Sequence, residues 1–519
     1  MKEVVDTAEF QRLRNVIQTS YAPLYSSAVH NRFVHSLGVY YLGTLVAANI
    51  REIVPEEFEE EEYEKYINIF LLACLLHDVG HAPFSHTGEA YYLKSGVRDE
   101  LHKRIIELTN DNNLEDEISQ KSYKAAPHEL MSAIVAIERF GDMIGDDNAK
   151  SFFARCITGY QYVNDTDEKC KVLNCIISLL NSSVIDVDKL DYLIRDAYIT
   201  GFDTINIDYE RLLKSIRIKK NSSRRDADYE VVYTKGAISV IENVVYAHDA
   251  ERKWIQNHPI VQYEGFLIRR IINTLNEKYG ENVLFSSEAL SKQGRMINGN
   301  MKVSLLCDAD IVFLMKNLES NKYVEEYLDR GKRRHPLWKS EAEYRAMFDT
   351  YFSPKMYEML DEEMSALLKY LNFINHSNVI NQSALTACEN DIQEAEKLYK
   401  EFGETDKKYR KQMEDKKGYK AWIEAFKRFA DEQKIEFDFV ILEATLFSSG
   451  FAKEKLSELK VEFSELRSLS ELGKISTVLS AQSSNRDKFF YVFYKRDDEI
   501  TVRTIELINI LEEMIRNKM

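Results

Sequence analysis

The chain has 519 residues, of which 45% are apolar and 30% charged, and its formal net charge is −16. Such a balance fits a soluble globular protein of two to four domains and argues against a general nucleic-acid binder, which needs summed positive charge. Six cysteines without a CxxC pair offer no disulfide framework and point to a reducing, cytoplasmic compartment.

The amino-terminal MKEVVDTAEF lacks the apolar stretch of a signal peptide. Only seven prolines and abundant Leu, Glu and Lys favour helices. Leu37, Val39, Leu42, Val46 and Ile50 recur at helical spacing behind His35. EEFEEEEYEK reads as a solvated acidic face, and the apolar run Ile69 to Leu76 is far short of the about 20 residues that span a bilayer, so no membrane partner is expected. Residues 114–126 and 160–170 read as connections between helices. Ser215 to Tyr233 reads as a strand, a basic turn (Lys219, Lys220, Arg224, Arg225) and a second strand. Charged helices fill residues 389 to 435. Beyond them FDFVILEATLF, SELKVEF, KISTVLSA and KFFYVFYKR carry β-branched and aromatic runs before a closing helix. The expected fold is mainly α: a helical core over 1–350, a charged helical extension over 351–435 and a small α+β lobe over 436–519.

Seven of the eleven histidines (His30, His35, His77, His81, His86, His102 and His128) fall in the first quarter of the chain. A His-Asp pair alone means little, because His248-Asp249 stands without further ligand-like neighbours. His77-Asp78 has better company: an apolar helix delivers it, the turn VGHAP follows, and His35 opens another apolar helix. Further on, IDVDKLDYLIRDAY places Asp186, Asp188, Asp191 and Asp196 in an otherwise apolar helix, where carboxylates need solvent or a ligand. Neutral imidazole with carboxylate suits Mn, Fe, Zn, Ni or Co in a site that keeps positions open for water.

The ordered set His35, His77-Asp78 and Asp188 resembles the H…HD…D signature of HD-domain metal-dependent phosphohydrolases. FQRLRNVIQ, HNRFVHSLGV, LLHDVGHAPFSH, PHELMS and IDVDKLDYLIRDAY are similar to the deoxynucleoside triphosphate triphosphohydrolases of that family, the sterile-alpha-motif/HD-domain dNTPases and their bacterial relatives. The likeness runs from about residue 4 to 270, weakens toward FDFVILEATLFSSGF, and starts so near Met1 that no sterile-alpha-motif domain is expected.

The resemblance implies a metal held by His35, His77, Asp78 and Asp188, with Mg accompanying the nucleotide phosphates. It places His81, His86 and His128 in the same site. His86, with Glu89 and Glu129 nearby, is the candidate to protonate the leaving 5′ oxygen; His81 or His128 could equally be a satisfied core histidine. Arg32, Lys189 and Tyr192 match phosphate contacts, and Gln18 and Asp196 match contacts to the ribose 3′-hydroxyl. Tyr263 matches a tyrosine that crowds out a 2′-hydroxyl, although Gln262 holds the strictly spaced position and Thr19 replaces the family's leucine. Asp6, Gln11 and Arg14 match a regulatory site for GTP, dGTP or another dNTP, against the plain alternative of an amphipathic first helix. Asp208 and Arg211 fall in a region of similar role. Asp191 and Arg195 read as an i,i+4 ion pair. The expected activity is conversion of dNTP to deoxynucleoside and triphosphate by a dimer or tetramer. The alternatives are an HD phosphohydrolase for other nucleotides or single strands, and a nucleotide-sensing oligomer.

Overall fold

Helices build most of the chain and short sheets complete it, so the mainly α reading with a smaller α+β part holds. The computed structural model describes every residue except 94–95, 121–124, 164–166, 183, 203–205, 222–227, 281–285, 298, 300, 403–406, 446–458, 473–487 and 498. The basic-turn residues Arg224 and Arg225 and the segment KISTVLSA therefore lie outside the described residues. The chain divides into two units, one of residues 1–256, 264–324 and 450–482, the other of 257–263, 325–449 and 483–519.

In the first unit the helix Arg32–Ile50 starts where Asn31 accepts a hydrogen bond from the Val34 amide at 3.2 Å. Its buried residues include Phe33, His35, Val39, Leu42, Val46 and Ile50, and it packs on the helices Glu60–Leu76 and Val187–Thr200. Among the described helices it alone is long and apolar enough to cross a bilayer, yet it sits half-buried in this core with Arg32, His35 and Ser36 inside. Gly38 lets Val187–Thr200 approach, since a Cβ there would meet Asp191 Oδ1 at 1.9 Å. Val187–Thr200 is capped by Asp186 and stopped by Gly201 in the left-handed region. The acidic run becomes the exposed start of Glu60–Leu76, with Glu62 paired to Lys169 and Glu64 to Arg51.

The expected connection at 114–126 contains instead the helix Asn112–Gln120. Asp111 nucleates it by accepting from the Asn113 and Leu114 amides, a cap the polar composition concealed. Ile216–Asn221 and Asp228–Thr234 pair antiparallel as read, and Lys460–Glu462 and Leu466–Ser468 extend their sheet. Lys219 pairs with Glu462, and Lys220 with Glu56 and Glu57, which leaves both neutralised.

In the second unit the strands Lys488–Tyr494 and Asp438–Thr445 form the centre of a four-stranded sheet with His335–Pro336 and Val379–Asn381 at its edges. Residues Phe489 to Phe493 are all buried, so both faces are covered, which is why the sequence runs apolar without alternation. The charged segment forms the helices Gln382–Phe402 and Lys407–Gln433. Their ion pairs, Asp391 with Lys416 and Glu389 with Lys420, run in opposite order along the two and set them antiparallel. Trp422, Phe426 and Phe429 are the buried side of the second.

The same unit buries Arg334 against Glu326, Asp438 and the Tyr263 hydroxyl. Arg334→Met would leave two buried carboxylates without their cation, and we expect it to cost about 3–5 kcal/mol, read as a lowered midpoint in urea unfolding. A midpoint within error of wild type would show that the network contributes nothing.

Candidate metal centre

The helix Glu60–Leu76 ends at His77, and the following turn carries Asp78, His81 and His86. His77 Nδ1 lies 3.0 Å from the Cys74 carbonyl, and His35 Nδ1 lies 2.7 Å from Asp191 Oδ2. Carbonyl and carboxylate only accept, so each ring carries its proton on Nδ1 and turns the Nε2 lone pair inward. The two Nε2 atoms then face one another at 3.3 Å. Asp188 Oδ1 stands 2.9 Å from His35 Nε2 and 3.5 Å from His77 Nε2, and Asp78 Oδ2 is 3.5 Å from both.

Four electron-rich atoms thus meet at one point, three on buried side chains and the fourth on the half-exposed Asp188. Burial lowers the basicity of His35, but its hydrogen bonds to the Asp188 and Asp191 carboxylates outweigh it and push its pKa up to about 10. Burial likewise raises Asp78 and Asp188, yet Arg32, His35 and His77 hold the first below the usual carboxylate range, and the two histidines hold the second there. The cluster calls for positive charge, and its donor set of two imidazoles and two carboxylates fits a divalent transition metal with open positions. Asp191, fixed by two bonds to Arg195 at 2.8 and 2.9 Å, orients His35 from behind. The Asp191–Arg195 pair read from the sequence is present and also supports His35, a candidate ligand. The signal was available, since Asp191 follows Asp188 by three residues on one helix face.

A second group centres on Glu89 Oε1, with His128 Nδ1 at 2.9 Å, His86 Nδ1 at 3.1 Å and His81 Nδ1 at 3.5 Å. His81 stacks on His128, their centroids 4.3 Å apart, and its Nε2 lies 3.7 Å from Asp78 Oδ1, joining the two groups. Burial raises Glu89, but His128 and His86 outweigh it and keep the carboxylate ionised, and Glu89 in return lifts His128 to about 9 against its burial. Burial and the Arg32 charge hold His81 neutral. His86 differs from the others in being open to solvent. Ligand atoms of this group also lie close enough together to hold an ion.

The expected phosphate and sugar contacts fall in varied settings. Arg32 donates to Asp78 Oδ2 at 2.8 Å, to Ser85 Oγ at 2.9 Å and to the Gln18 carbonyl at 3.3 Å. Lys189 is held by Asp186 at 2.5 Å and by the Ser182 carbonyl at 2.9 Å. Tyr192 lies one turn after Asp188. Asp196 is buried and paired with His30 Nε2 at 2.6 Å, a role for His30 that its count alone had not revealed. Among the described residues, Gln18 Oε1 is buried without a protein partner. Tyr263 lies in the second unit, where its hydroxyl joins Glu326 and Arg334. Glu129 works locally, accepting from the Ala126 amide at 2.6 Å and from Asn181 at 2.9 Å, and burial lifts it to about 7. At the amino terminus Gln11 donates to the Val5 carbonyl and accepts from Arg14, both at 2.8 Å, while Arg14 stacks 3.6 Å over Phe33 and Asp6 stays exposed.

Residues 32–170 match the family model of the HD domain. Among curated proteins, the chain is 28% identical over 244 residues to the uncharacterized protein MG461 of Mycoplasma genitalium, covering 47% of this chain and 48% of that protein. It is 30% identical over 252 residues to deoxynucleoside triphosphate triphosphohydrolase SAMHD1 of Gallus gallus, covering 45% of this chain and 38% of the relative. It therefore spans about half, or less, of the length of these curated relatives. A crystal structure of a hypothetical protein from Aquifex aeolicus shares the fold, with a TM-score of 0.54 at 17% identity over 99% of this chain and 94% of that one.

Two expectations follow for the HD centre. Asp191→Asn keeps the shape but weakens the acceptor behind His35, and should lower metal affinity about 10–100-fold in a chelator competition; unchanged affinity would sink the supporting role. Gly80 lies so close to the helix Pro127–Ile144 that a Cβ would meet the Met131 carbonyl carbon and the Ser132 nitrogen at 2.4 Å. Gly80→Ala should therefore destabilise by about 1–3 kcal/mol in thermal or urea unfolding, because backbone rather than a side chain must yield.

Proposed function

We propose that this chain is a metal-dependent dNTP triphosphohydrolase, releasing deoxynucleoside and inorganic triphosphate. The observation that carries the reading is the convergence of His35 Nε2, His77 Nε2, Asp78 Oδ2 and Asp188 Oδ1 beside the solvent-open His86. The HD match and the named activity of the chicken relative support it.

When bound by His35, His77, Asp78 and Asp188, a divalent ion such as Mn, Fe, Zn, Ni or Co supplies Lewis acidity toward a phosphoryl oxygen and a water. The remaining work belongs to the chain. Arg32, Lys189 and Tyr192 face the developing phosphate charge, to which a guanidinium and an ammonium are suited. For the first two this means exchanging Asp78 and Asp186 for the incoming phosphates, with their Mg. The α-phosphorus gains the water oxygen and loses the 5′ oxygen, so one water proton must end on the departing nucleoside. His86, held by Glu89, is the donor placed to deliver it. Gln18 and Asp196, the latter oriented by His30, address the 3′-hydroxyl. Asp6, Gln11 and Arg14 form the candidate regulatory site for GTP, dGTP or a dNTP, and assembly into a dimer or tetramer accompanies it. Thr19, where the family carries leucine, favours one second reading: a less crowded 2′ face that admits ribonucleotides.

The test is a product assay with Mn²⁺ or Mg²⁺ on each dNTP and each ribonucleotide, alone and paired with GTP or dGTP. Deoxynucleoside plus triphosphate, absent in Asp188→Ala, is the expected result. Nucleoside monophosphate as product, or activity that survives Asp188→Ala, would overturn the reading. Turnover confined to the paired mixtures and lost in Arg14→Ala would assign regulation to the amino-terminal site.

A further inference from the structure

The turn that carries His86 adopts an unfavourable backbone. Phe84 and Ser85 both have positive φ, 59° and 52°, where a side chain is disfavoured and two in succession need support. Gly88 belongs to the same knot, since a Cβ there would meet the Pro83 carbonyl oxygen at 1.9 Å. The support comes from far along the chain. The helix Asp308–Lys316 opens with Asp308, whose Oδ1 accepts from the Phe84 amide at 2.7 Å and whose Oδ2 accepts from the Ile17 amide at 2.8 Å.

These two amides are not arbitrary. Ser85 donates to the Ile17 carbonyl and accepts from Arg32 Nε, and Arg32 in turn holds Asp78. Ile17 precedes Gln18. One carboxylate therefore ties the His86 turn to the segment carrying Gln18 and to the arginine beside the metal ligands. Arg12 closes the same joint from its other side. It is buried and donates to the Leu306 carbonyl at 2.8 Å and to the Val79 and His81 carbonyls, both at 2.9 Å. The matched HD region, residues 32–170, contains neither Asp308 nor Arg12.

We infer that Asp308 is a positioning residue, which holds the Phe84–Ser85 turn in its left-handed form and so sets His86 against the metal ligands and the Gln18 segment. The inference rests on the proposed phosphohydrolase reading for its kinetic consequence and on geometry alone for its structural one. Removing the two acceptors frees the turn to relax toward ordinary backbone and carries the proton donor away from the leaving oxygen, a displacement of the kind that costs turnover more than binding.

The test compares Asp308→Ala, Asp308→Asn and Asp310→Ala. Asp310 caps the same helix at the Cys307 amide, 2.8 Å away, without touching the turn, so its loss reports on helix stability alone. Asp308→Ala should lower kcat about a hundredfold with KM and bound metal per protein unchanged, and Asp308→Asn, which keeps one oxygen acceptor, should recover part of it. Hydrogen exchange of the peptide 79–88 should be faster in Asp308→Ala than in wild type and unaltered in Asp310→Ala. Wild-type kcat in Asp308→Ala, or an equal loss in Asp310→Ala, would overturn the inference. If wild type hydrolyses none of the nucleotides, the functional reading fails instead. The exchange then decides alone, and unchanged exchange at 79–88 would overturn the positioning role.

Discussion

Two imidazole lone pairs and two carboxylates meeting in a protein core cannot be stable without positive charge among them, and the first unit is organised around meeting that demand. Apolar helices bring the groups in because their other residues gain by burial, while the far sides of both histidines are fixed by acceptors that leave no choice of orientation. Asp191 and the Cys74 carbonyl take the Nδ1 protons of His35 and His77. Arg32 donates one bond to Asp78. With those partners in place the two inward Nε2 atoms face carboxylate oxygens across a gap that suits a cation, or a proton as in the raised basicity of His35.

Such a cluster also dictates how near the helices stand. Asp191 reaches His35 because Gly38 offers no side chain between the two helices. Gly80 in the HDVGH turn does the same toward the helix that carries His128, and its amide donates to Ser132 Oγ at 3.0 Å. The second imidazole group follows from this packing. Once the turn lies against Met131 and Ser132, His81 stacks on His128 and both come to Glu89, so proton-holding groups stand beside the charge-demanding ones without any separate element to place them.

The candidate ligands were legible through resemblance: His35, His77-Asp78 and Asp188 match an ordered motif, and an apolar helix that ends in His-Asp gave that motif a setting. The fold class was legible from helical spacing and from the continuous KFFYVFYKR run. What stayed hidden was whatever depends on contacts distant in the chain. Asp308 and Phe84 are 224 residues apart, and nothing near Asp308 marks it as more than a helix-opening residue. Glu129 shows the converse. Standing beside His128 it reads as part of the site, whereas its oxygens cap the start of its own helix and hold Asn181. Proximity in sequence cannot tell which way a side chain turns at a helix amino terminus, where the free amides compete for it.

Arg32 brings these strands of argument together. Its residue type suits a phosphate, yet its guanidinium already spans a metal ligand, the hydroxyl of the left-handed turn and the backbone of Gln18. A phosphate entering here would compete with Asp78 for one arm of the fork while the others stay anchored, which is how a planar donor with five N–H groups can change one partner without losing its place. Loss of that arm would leave Asp78 with less positive charge from the protein and more need of the metal. Substrate and ion would then favour one another's binding through a single side chain, and the anchoring of its remaining arms, through Ser85 and ultimately Asp308, would decide how little else moves.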